Sequence, residues 1–361
     1  MTWLLPPLLL WGAATLLVAL LMPLFRQGAC AWGLLDRPRS EGHKNHAQAT
    51  PVVGGAAMGT VWFLLLAVCL LGALLLPHAL PPQLAETLPG LATAARPLAT
   101  VALCALALAV MGLLDDRKPL SAKTKLYFQL GTALLTALLG PRILVGIVPL
   151  WLSWLLTTLW IATVVNAMNF FDNMNGLAGG VATIAFAFLF TISTLRGQHF
   201  VSAFNALSGG VALGFLLHNF PRAKVFMGDC GSHFLGYLLA VSCILTTFYH
   251  HENTPSLLAL AIPFLVLAVP LLDAITVVLL RLRLHKPIYV GDNRHLSHRF
   301  VALGLSRTQA VLAIWLLSLL AGTGALSLLW TPPMAALLIL AQMAAMVTLI
   351  LLIQLGAHPP E

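Results

Sequence analysis

Eleven apolar stretches decide what this chain can fold into: residues 3–25, 51–76, 97–114, 126–140, 149–171, 177–195, 201–220, 233–249, 257–280, 309–330 and 334–355. A helix needs about 20 apolar residues to cross a bilayer. The run at 126–140 is the shortest and carries Tyr127 and Gln129. Charged residues make up 8% of the chain and hydrophobic ones 60%, with mean hydropathy +0.94, whereas soluble domains have roughly 25% and 45–50%. The sequence therefore predicts an all-α polytopic membrane protein with about eleven transmembrane helices. Residues 1–361 form a single membrane-embedded domain, with polar loops near 26–50, 115–125, 172–180, 221–232 and 281–308. The first stretch has no basic n-region and exceeds a typical signal h-region, so it is expected to be retained.

The basic residues orient the spans. Arg26, Arg37, Arg39, Lys44, Arg117, Lys118, Lys123, Lys125, Arg222, Lys224, Arg281, Arg283, Lys286, Arg294, Arg299 and Arg307 fall in odd-numbered loops; only Arg96, Arg142 and Arg196 fall in even ones. The positive-inside rule places the odd loops in the cytoplasm, the N-terminus outside and the C-terminus inside. All seven aspartates (Asp36, Asp115, Asp116, Asp172, Asp229, Asp273 and Asp292) lie in or beside the same loops. Acids have little topological preference of their own, so this one-sidedness points to a site. The net charge of +8 is spread over membrane loops, which excludes nucleic acid as a partner. Five scattered cysteines without CxxC spacing read as packing residues rather than a metal or disulfide framework.

Four segments carry chemistry. In "GLLDDRKPLSAKTKL" a long apolar run ends in Asp115 and Asp116, followed by Lys123 and Lys125. In "FMGDCGSHFLG" Asp229 stands between Gly228 and Gly231, which suits close backbone approach to a ligand at a helix start that favours anions. Mg²⁺ commonly takes one or two carboxylates, with water and substrate phosphates completing its octahedron. "NAMNFFDNMNGLAGG" collects Asn166, Asn169, Asp172, Asn173 and Asn175 at a membrane exit. Capping explains one or two of these; the rest suit the edge of a nucleobase. "HKPIYVGDNRHLSHRF" mixes His285, His295 and His298 with Lys286, Arg294 and Arg299, a cationic grip for a diphosphate. HxxH with no third local ligand is a poor zinc motif. His43 and Lys44 add cations ahead of a helix expected to start at Pro51, and Asp273 is an ionisable group inside a span, a functional position by default.

These motifs, in this order, resemble the polyprenyl-phosphate N-acetylhexosamine-1-phosphate transferases, the superfamily of MraY and WecA/TagO. PVVGG, GLLDDRKPLSAKTKL, NFFDNMNGLAGG, FMGDCGS, VPLLDAITVVLLRLR and DNRHLSHRF carry the resemblance across residues 36 to about 308, and the DxxHxxH form is similar to the WecA/TagO branch. The resemblance implies that N-acetylhexosamine-1-phosphate passes from a UDP-N-acetylhexosamine, expected to be UDP-GlcNAc, to undecaprenyl phosphate. The products are the lipid diphospho-sugar and UMP, the first step toward a cell-envelope polysaccharide such as teichoic acid or lipopolysaccharide.

It further implies a bacterial inner (cytoplasmic) membrane location with the active site on the cytoplasmic face. Mg²⁺ is the implied cofactor and Mn²⁺ its alternative. Asp115 is implied to act on the lipid phosphate, and Asp116 to support the metal or the lysines. Asp229 is implied to bind the metal. Asn169 and Asp172 lie near the nucleoside and catalytic centre, and His295 and His298 engage the diphosphate or sugar. Asn173, Asn175, Lys125, Arg294, His43 and Lys44 are further candidates for substrate contact.

Two departures bear on specificity. Asn175 stands where many relatives have aspartate, and Ser297 replaces a histidine of HxHH. An MraY-like transferase of phospho-MurNAc-pentapeptide is the runner-up. A secondary transporter of an anionic solute is the alternative from another class, although transporters gather polar groups near the midplane and lean on repeats, which this chain lacks. Outward-facing helices leave room for a homodimer that nothing in the sequence requires.

Overall fold

A computed structural model describes residues 4–36, 49–75, 88–143, 148–246, 248, 256–285 and 294–356. In chain order these form α1 (Leu5–Gly28), β1 (Leu35–Asp36), β2 (Thr50–Pro51), α2 (Gly54–Leu75), α3 (Leu88–Arg117), α4 (Ala122–Leu139), α5 (Leu150–Phe171), α6 (Leu177–Leu195), α7 (His199–Asn219), α8 (Gly228–Leu245), a 3-10 turn (Leu257–Ala261), α9 (Ile262–Val266), α10 (Ala268–Arg283), α11 (Leu296–Ala302), α12 (Arg307–Ser327) and α13 (Pro333–Gly356).

The all-α membrane architecture holds. Among the described residues nine helices are long and apolar enough to cross a membrane, and Leu257–Val266 with Ala268–Arg283 makes a tenth span bent by 71°. The bend has a local cause. Leu267 leaves helical geometry at φ −103°, ψ 17°, and Pro270 has no N–H for the carbonyl four residues before it. The fourth expected stretch, 126–140, forms as α4, but Lys123, Lys125 and Gln129 in the first half of that helix keep it out of the set qualifying by hydropathy.

The bundle is built around α8, which packs on α2, α3, α5, α6 and α7. Buried Trp62 meets Phe63, Phe204 and Phe234 edge-on, the favoured aromatic geometry, and its Nε1 donates to Ser208 Oγ at 3.1 Å. Tyr237, fully buried, shares a 2.8 Å hydrogen bond with Thr136. Exposed leucines such as Leu16, Leu20, Leu74 and Leu338 stud the outer faces of α1, α2 and α13. Such positions are solvated by lipid tails in a membrane.

One join sets the geometry of the site. The expected helix start at Pro51 is corrected: Pro51 lies in β2, paired antiparallel to Leu35 of β1, and α2 begins at Gly54. Val52 then bridges in parallel to Phe226. Phe226 N–H donates to Pro51 O, and Gly54 and Gly55 N–H donate to Phe226 and Met227 O, at 2.8–3.0 Å. The PVVGG segment is thus a backbone clasp on the strand leading into Asp229. A Cβ on Gly55 would stand 2.2 Å from Gly231 N, and one on Gly112 would stand 2.4 Å from the Asp229 carbonyl carbon. Only hydrogen fits where α2 and α3 meet the start of α8.

Candidate active site

Helix ends supply the site. Asp115 and Asp116 close α3, Lys125 lies in the first turn of α4, Asp172 caps α5, and Asp229 opens α8. Lys125 Nζ bridges Asp115 Oδ2 at 3.0 Å and Asp229 Oδ2 at 2.9 Å. Asp115 Oδ1 accepts from Leu120 N–H at 2.6 Å, so the loop after α3 pins this carboxylate. Asn169 Nδ2 donates to Asp229 Oδ1 at 3.0 Å and to Ser232 Oγ at 2.9 Å.

Asp116 does something the sequence did not suggest. Its two oxygens accept the backbone N–H groups of Asp229 and Cys230 at 2.7 and 3.1 Å. The anion at the N-terminus of α8 is therefore the protein's own carboxylate, where the dipole and free N–H groups favour it. Gly228, expected to admit a ligand, takes φ +72° and lies so close that a Cβ would stand 2.5 Å from Asp116 Oδ2 and from Val52 Cγ1. Gly231 likewise faces Gly55. These glycines serve protein–protein contact.

Asp172 stands in contrast. Among the described residues its carboxylate has no hydrogen-bond partner, and burial, with the nearby charges of Asp229 and Asp116, raises it to about 7. A carboxyl raised in the folded state above the ordinary 3.8 favours the protonated form. Its contribution to stability is complete below about pH 4 and is lost as pH rises through about 7. Asp172→Asn keeps the shape without the charge. In chelator-treated protein it should raise the thermal midpoint at pH 8 by a few degrees, and this gain should shrink steadily toward pH 4. A gain independent of pH, measured by differential scanning fluorimetry, would refute the assignment.

The 294–302 segment reaches the same region. Ser297 Oγ donates to Asn173 Oδ1 at 2.6 Å, while Asn173 Nδ2 donates to Phe170 O at 3.0 Å. Both ends of the Asn173 amide are thus engaged within the protein, whereas Asn175 is exposed with no partner among the described residues. Asp273, 1% exposed, accepts from His295 Nδ1 at 2.7 Å and from Leu296 N–H at 2.6 Å. The in-span carboxylate therefore orients a histidine and holds the start of α11. With the proton on Nδ1, His295 presents Nε2 as its lone pair. His298 lies one turn on, its ring centroid 6.5 Å from that of His295, and Arg294 precedes both. His43 and Lys44, like Lys286 and Asp292, lie outside the described residues.

Beneath Asp229 runs a polar chain that takes up Asn166, one of the amides expected at the base. His233 Nδ1 meets Asp229 O at 2.7 Å, His233 Nε2 meets Gln129 Nε2 at 2.8 Å, and Asn166 Nδ2 donates to Gln129 Oε1 at 2.6 Å. The carbonyl can only accept, which puts the proton on Nδ1 and makes Nε2 the acceptor from Gln129. The available signal was a set of polar residues inside apolar spans, with Asp229 and His233 four residues apart on one helical face.

The donor set suits a hard cation. Asp115 and Asp229 share one ammonium, Asp116 is hydrogen-bonded to the backbone of Asp229, and Asp172, with no hydrogen-bond donor among the described residues, lies near enough to feel the charges of Asp229 and Asp116. All the ligand atoms are oxygens, as Mg²⁺ prefers. Among the described residues no three acidic, histidine or cysteine side chains form a ready-made metal cage.

Residues 98–247 match the family described as "Glycosyl transferase family 4". A Bacillus subtilis (strain 168) protein named "Probable undecaprenyl-phosphate N-acetylglucosaminyl 1-phosphate transferase" is 30% identical over 321 residues, covering 87% of this chain and 82% of that protein. A decaprenyl-phosphate N-acetylglucosaminephosphotransferase of Mycolicibacterium smegmatis (strain ATCC 700084 / mc(2)155) is 32% identical over 356 residues, 91% and 84% of the two chains. The undecaprenyl-phosphate alpha-N-acetylglucosaminyl 1-phosphate transferase of Escherichia coli (strain K12) is 28% identical over 238 residues, 62% and 64%.

Proposed function

Since the chain belongs to glycosyl transferase family 4, in the superfamily of WecA/TagO-type polyprenyl-phosphate sugar-1-phosphate transferases, we propose that it transfers GlcNAc-1-phosphate from UDP-GlcNAc to undecaprenyl phosphate. An oxygen of the lipid phosphate attacks the sugar-bearing phosphorus of the donor. The bond to UMP breaks, and UMP leaves with its electron pair. The observation that carries this reading is the Asp115–Lys125–Asp229 bridge at the ends of three helices. It concentrates charge at one end of the bundle, where a lipid headgroup and a soluble nucleotide meet. A transporter would place such groups mid-span. The cations that accompany the site in the odd loops support a cytoplasmic location by the positive-inside rule.

Residue roles follow from what each group has left to offer. Asp116 is committed to the backbone of α8 and fixes Asp229 relative to α3. Asp229 and Asn169 would hold Mg²⁺, with the neighbouring Asp172 carboxylate turned to its water shell. When bound, the ion withdraws negative charge from the diphosphate and so lowers the barrier to anionic attack. Lys125 offsets the repulsion between Asp115 and Asp229 and steers the incoming phosphate. A phosphate monoester has its second pKa near 6, so the lipid arrives largely dianionic and needs no base, and Asp115 acts by holding the Lys125 ammonium that meets it. His295, oriented by Asp273, offers Nε2 as an acceptor to a hydroxyl of the donor sugar, and Arg294 and His298 supply the grip on the diphosphate. Of the amides expected to meet the base, Asn175 is the one free to do so.

Membranes containing the protein should convert labelled UDP-GlcNAc and Mg²⁺ into a butanol-extractable lipid, releasing one UMP per lipid formed. Excess unlabelled UDP-MurNAc-pentapeptide should leave that yield within about twofold, because a hundredfold preference corresponds to about 2.7 kcal/mol of differential binding. Strong competition by the pentapeptide donor would favour the MraY-like reading, and absence of UMP would overturn both.

A further inference from the structure

At the end of the bundle away from the carboxylates, α3, α4, α7 and α8 separate around a cavity of about 640 Å³, a volume typical of ligand sites at ~300–1,000 Å³. Leu98, Val101, Leu138, Phe204 and Ile244 give it an apolar wall, and Arg96 and Arg142 also line it. Neither guanidinium has a hydrogen bond or ion pair among the described residues, and Nε of Arg142 is closed off from solvent with no acceptor. These are two of the three basic residues outside the cation-rich loops. The third, Arg196, donates Nη2 to Phe248 O at 3.2 Å. Two cations without counter-ions among the described residues, set on an apolar wall, suit an anion with a hydrocarbon body.

We propose that this cavity binds an anionic membrane phospholipid. Its phosphodiester lies between Arg96 and Arg142, and an acyl chain follows the leucine and phenylalanine wall. Leu138 and Leu139 both line the cavity and remain exposed on the outer surface of α4, so it opens sideways toward the lipid phase. Basic pockets between membrane helices hold lipid headgroups by the same combination of charge and apolar cover. The polyprenyl phosphate substrate has its own place elsewhere. Arg96 and Asp115 are separated by about 28 Å along α3 at 1.5 Å per residue, so one phosphate cannot serve both ends.

Native mass spectrometry of the full-length protein in detergent tests this, with dioleoylphosphatidylglycerol and dioleoylphosphatidylcholine as probes. Wild type should retain one phosphatidylglycerol at concentrations at least about tenfold below those needed for phosphatidylcholine. Arg96→Gln with Arg142→Gln should remove that preference without changing the gel-filtration profile, since neither side chain has a partner to lose among the described residues. Ala94→Trp, which fills the cavity and keeps both arginines, should reduce phosphatidylglycerol retention to a similar extent. Equal retention of the two lipids, or a preference surviving the double substitution, overturns the proposal. So does unchanged binding in Ala94→Trp. Displacement of phosphatidylglycerol by undecaprenyl phosphate in wild type but not in the double variant would assign the cavity to the polyprenyl lipid and overturn it too.

Discussion

Asp229→Ala should reduce formation of labelled lipid and release of UMP by about 10³-fold or more, because it deletes charge aimed at the reacting phosphates. The side chain accepts from Lys125 and from Asn169, so its loss frees the ammonium to pair with Asp115 alone and takes away the carboxylate proposed to hold Mg²⁺. The protein should still fold. The bonds that anchor this turn, Asp229 N–H to Asp116 and Asp229 O to His233, use backbone atoms that alanine retains. A symmetrical gel-filtration peak and near-normal thermal midpoint, with activity gone, is the expected pattern. Raising Mg²⁺ tenfold should not restore the rate. Asp116→Asn separates the two roles: an amide accepts through one atom only, so one of the two α8 N–H groups is left unpaired at about 1–3 kcal/mol. This variant should lose stability together with activity. An Asp229→Ala enzyme running near the wild-type rate would remove the metal from Asp229 and with it the mechanism.

The membrane architecture was legible because bilayer crossing imposes length and hydropathy on each segment separately. Helix ends could therefore be read without tertiary information, and so could the presence of carboxylates at them. Which atom each carboxylate faces could not. Asp116 and Asp229 are 113 positions apart, and nothing local distinguishes a carboxylate aimed at a metal from one aimed at backbone N–H groups. The glycines misled for a related reason. Gly228 and Gly231 signal close approach, but the sequence does not say whether the approaching group is a ligand or the chain itself; here Asp116, Val52 and Gly55 fill the space. The break at Leu267 was carried by Pro263 and Pro270, a signal obscured by the unbroken hydropathy of 257–280. Asn173 and Asn175 looked equivalent in one polar cluster. Only the arrival of Ser297 from a distant segment takes the first and leaves the second.

That packing constraint makes a sharper test of how the site is held. Gly112 lies on the face of α3 where it crosses α8, and a Cβ there would stand 2.4 Å from the carbonyl carbon and oxygen of Asp229 and from Cys230 N. These are main-chain atoms at the start of a helix clasped by β2 and by Asp116, so no side-chain rotation can relieve the overlap. Gly112→Val should force α3 and α8 apart. Overpacking costs about 1–3 kcal/mol, and stretching the two hydrogen bonds that Asp116 accepts from Asp229 and Cys230 N–H adds about 1.5–3 kcal/mol for each one lost. The thermal midpoint in detergent should fall by on the order of 10 °C. Gly112→Ala should show the same effect in weaker form and still yield measurable protein. In that variant a shift of Asp229 by about 1 Å relative to Asp115 should lower transfer about 10²-fold, although no residue touching either substrate has changed. Gly131 in α4 provides the control. A Cβ there meets nothing within 4 Å, so Gly131→Ala should stabilise slightly through helix propensity, about 0.5–1 kcal/mol, and leave the rate alone. If Gly112→Ala behaves like Gly131→Ala, the close contact between α3 and α8 does not set the position of Asp229, and the aspartates must be aligned by the substrates themselves.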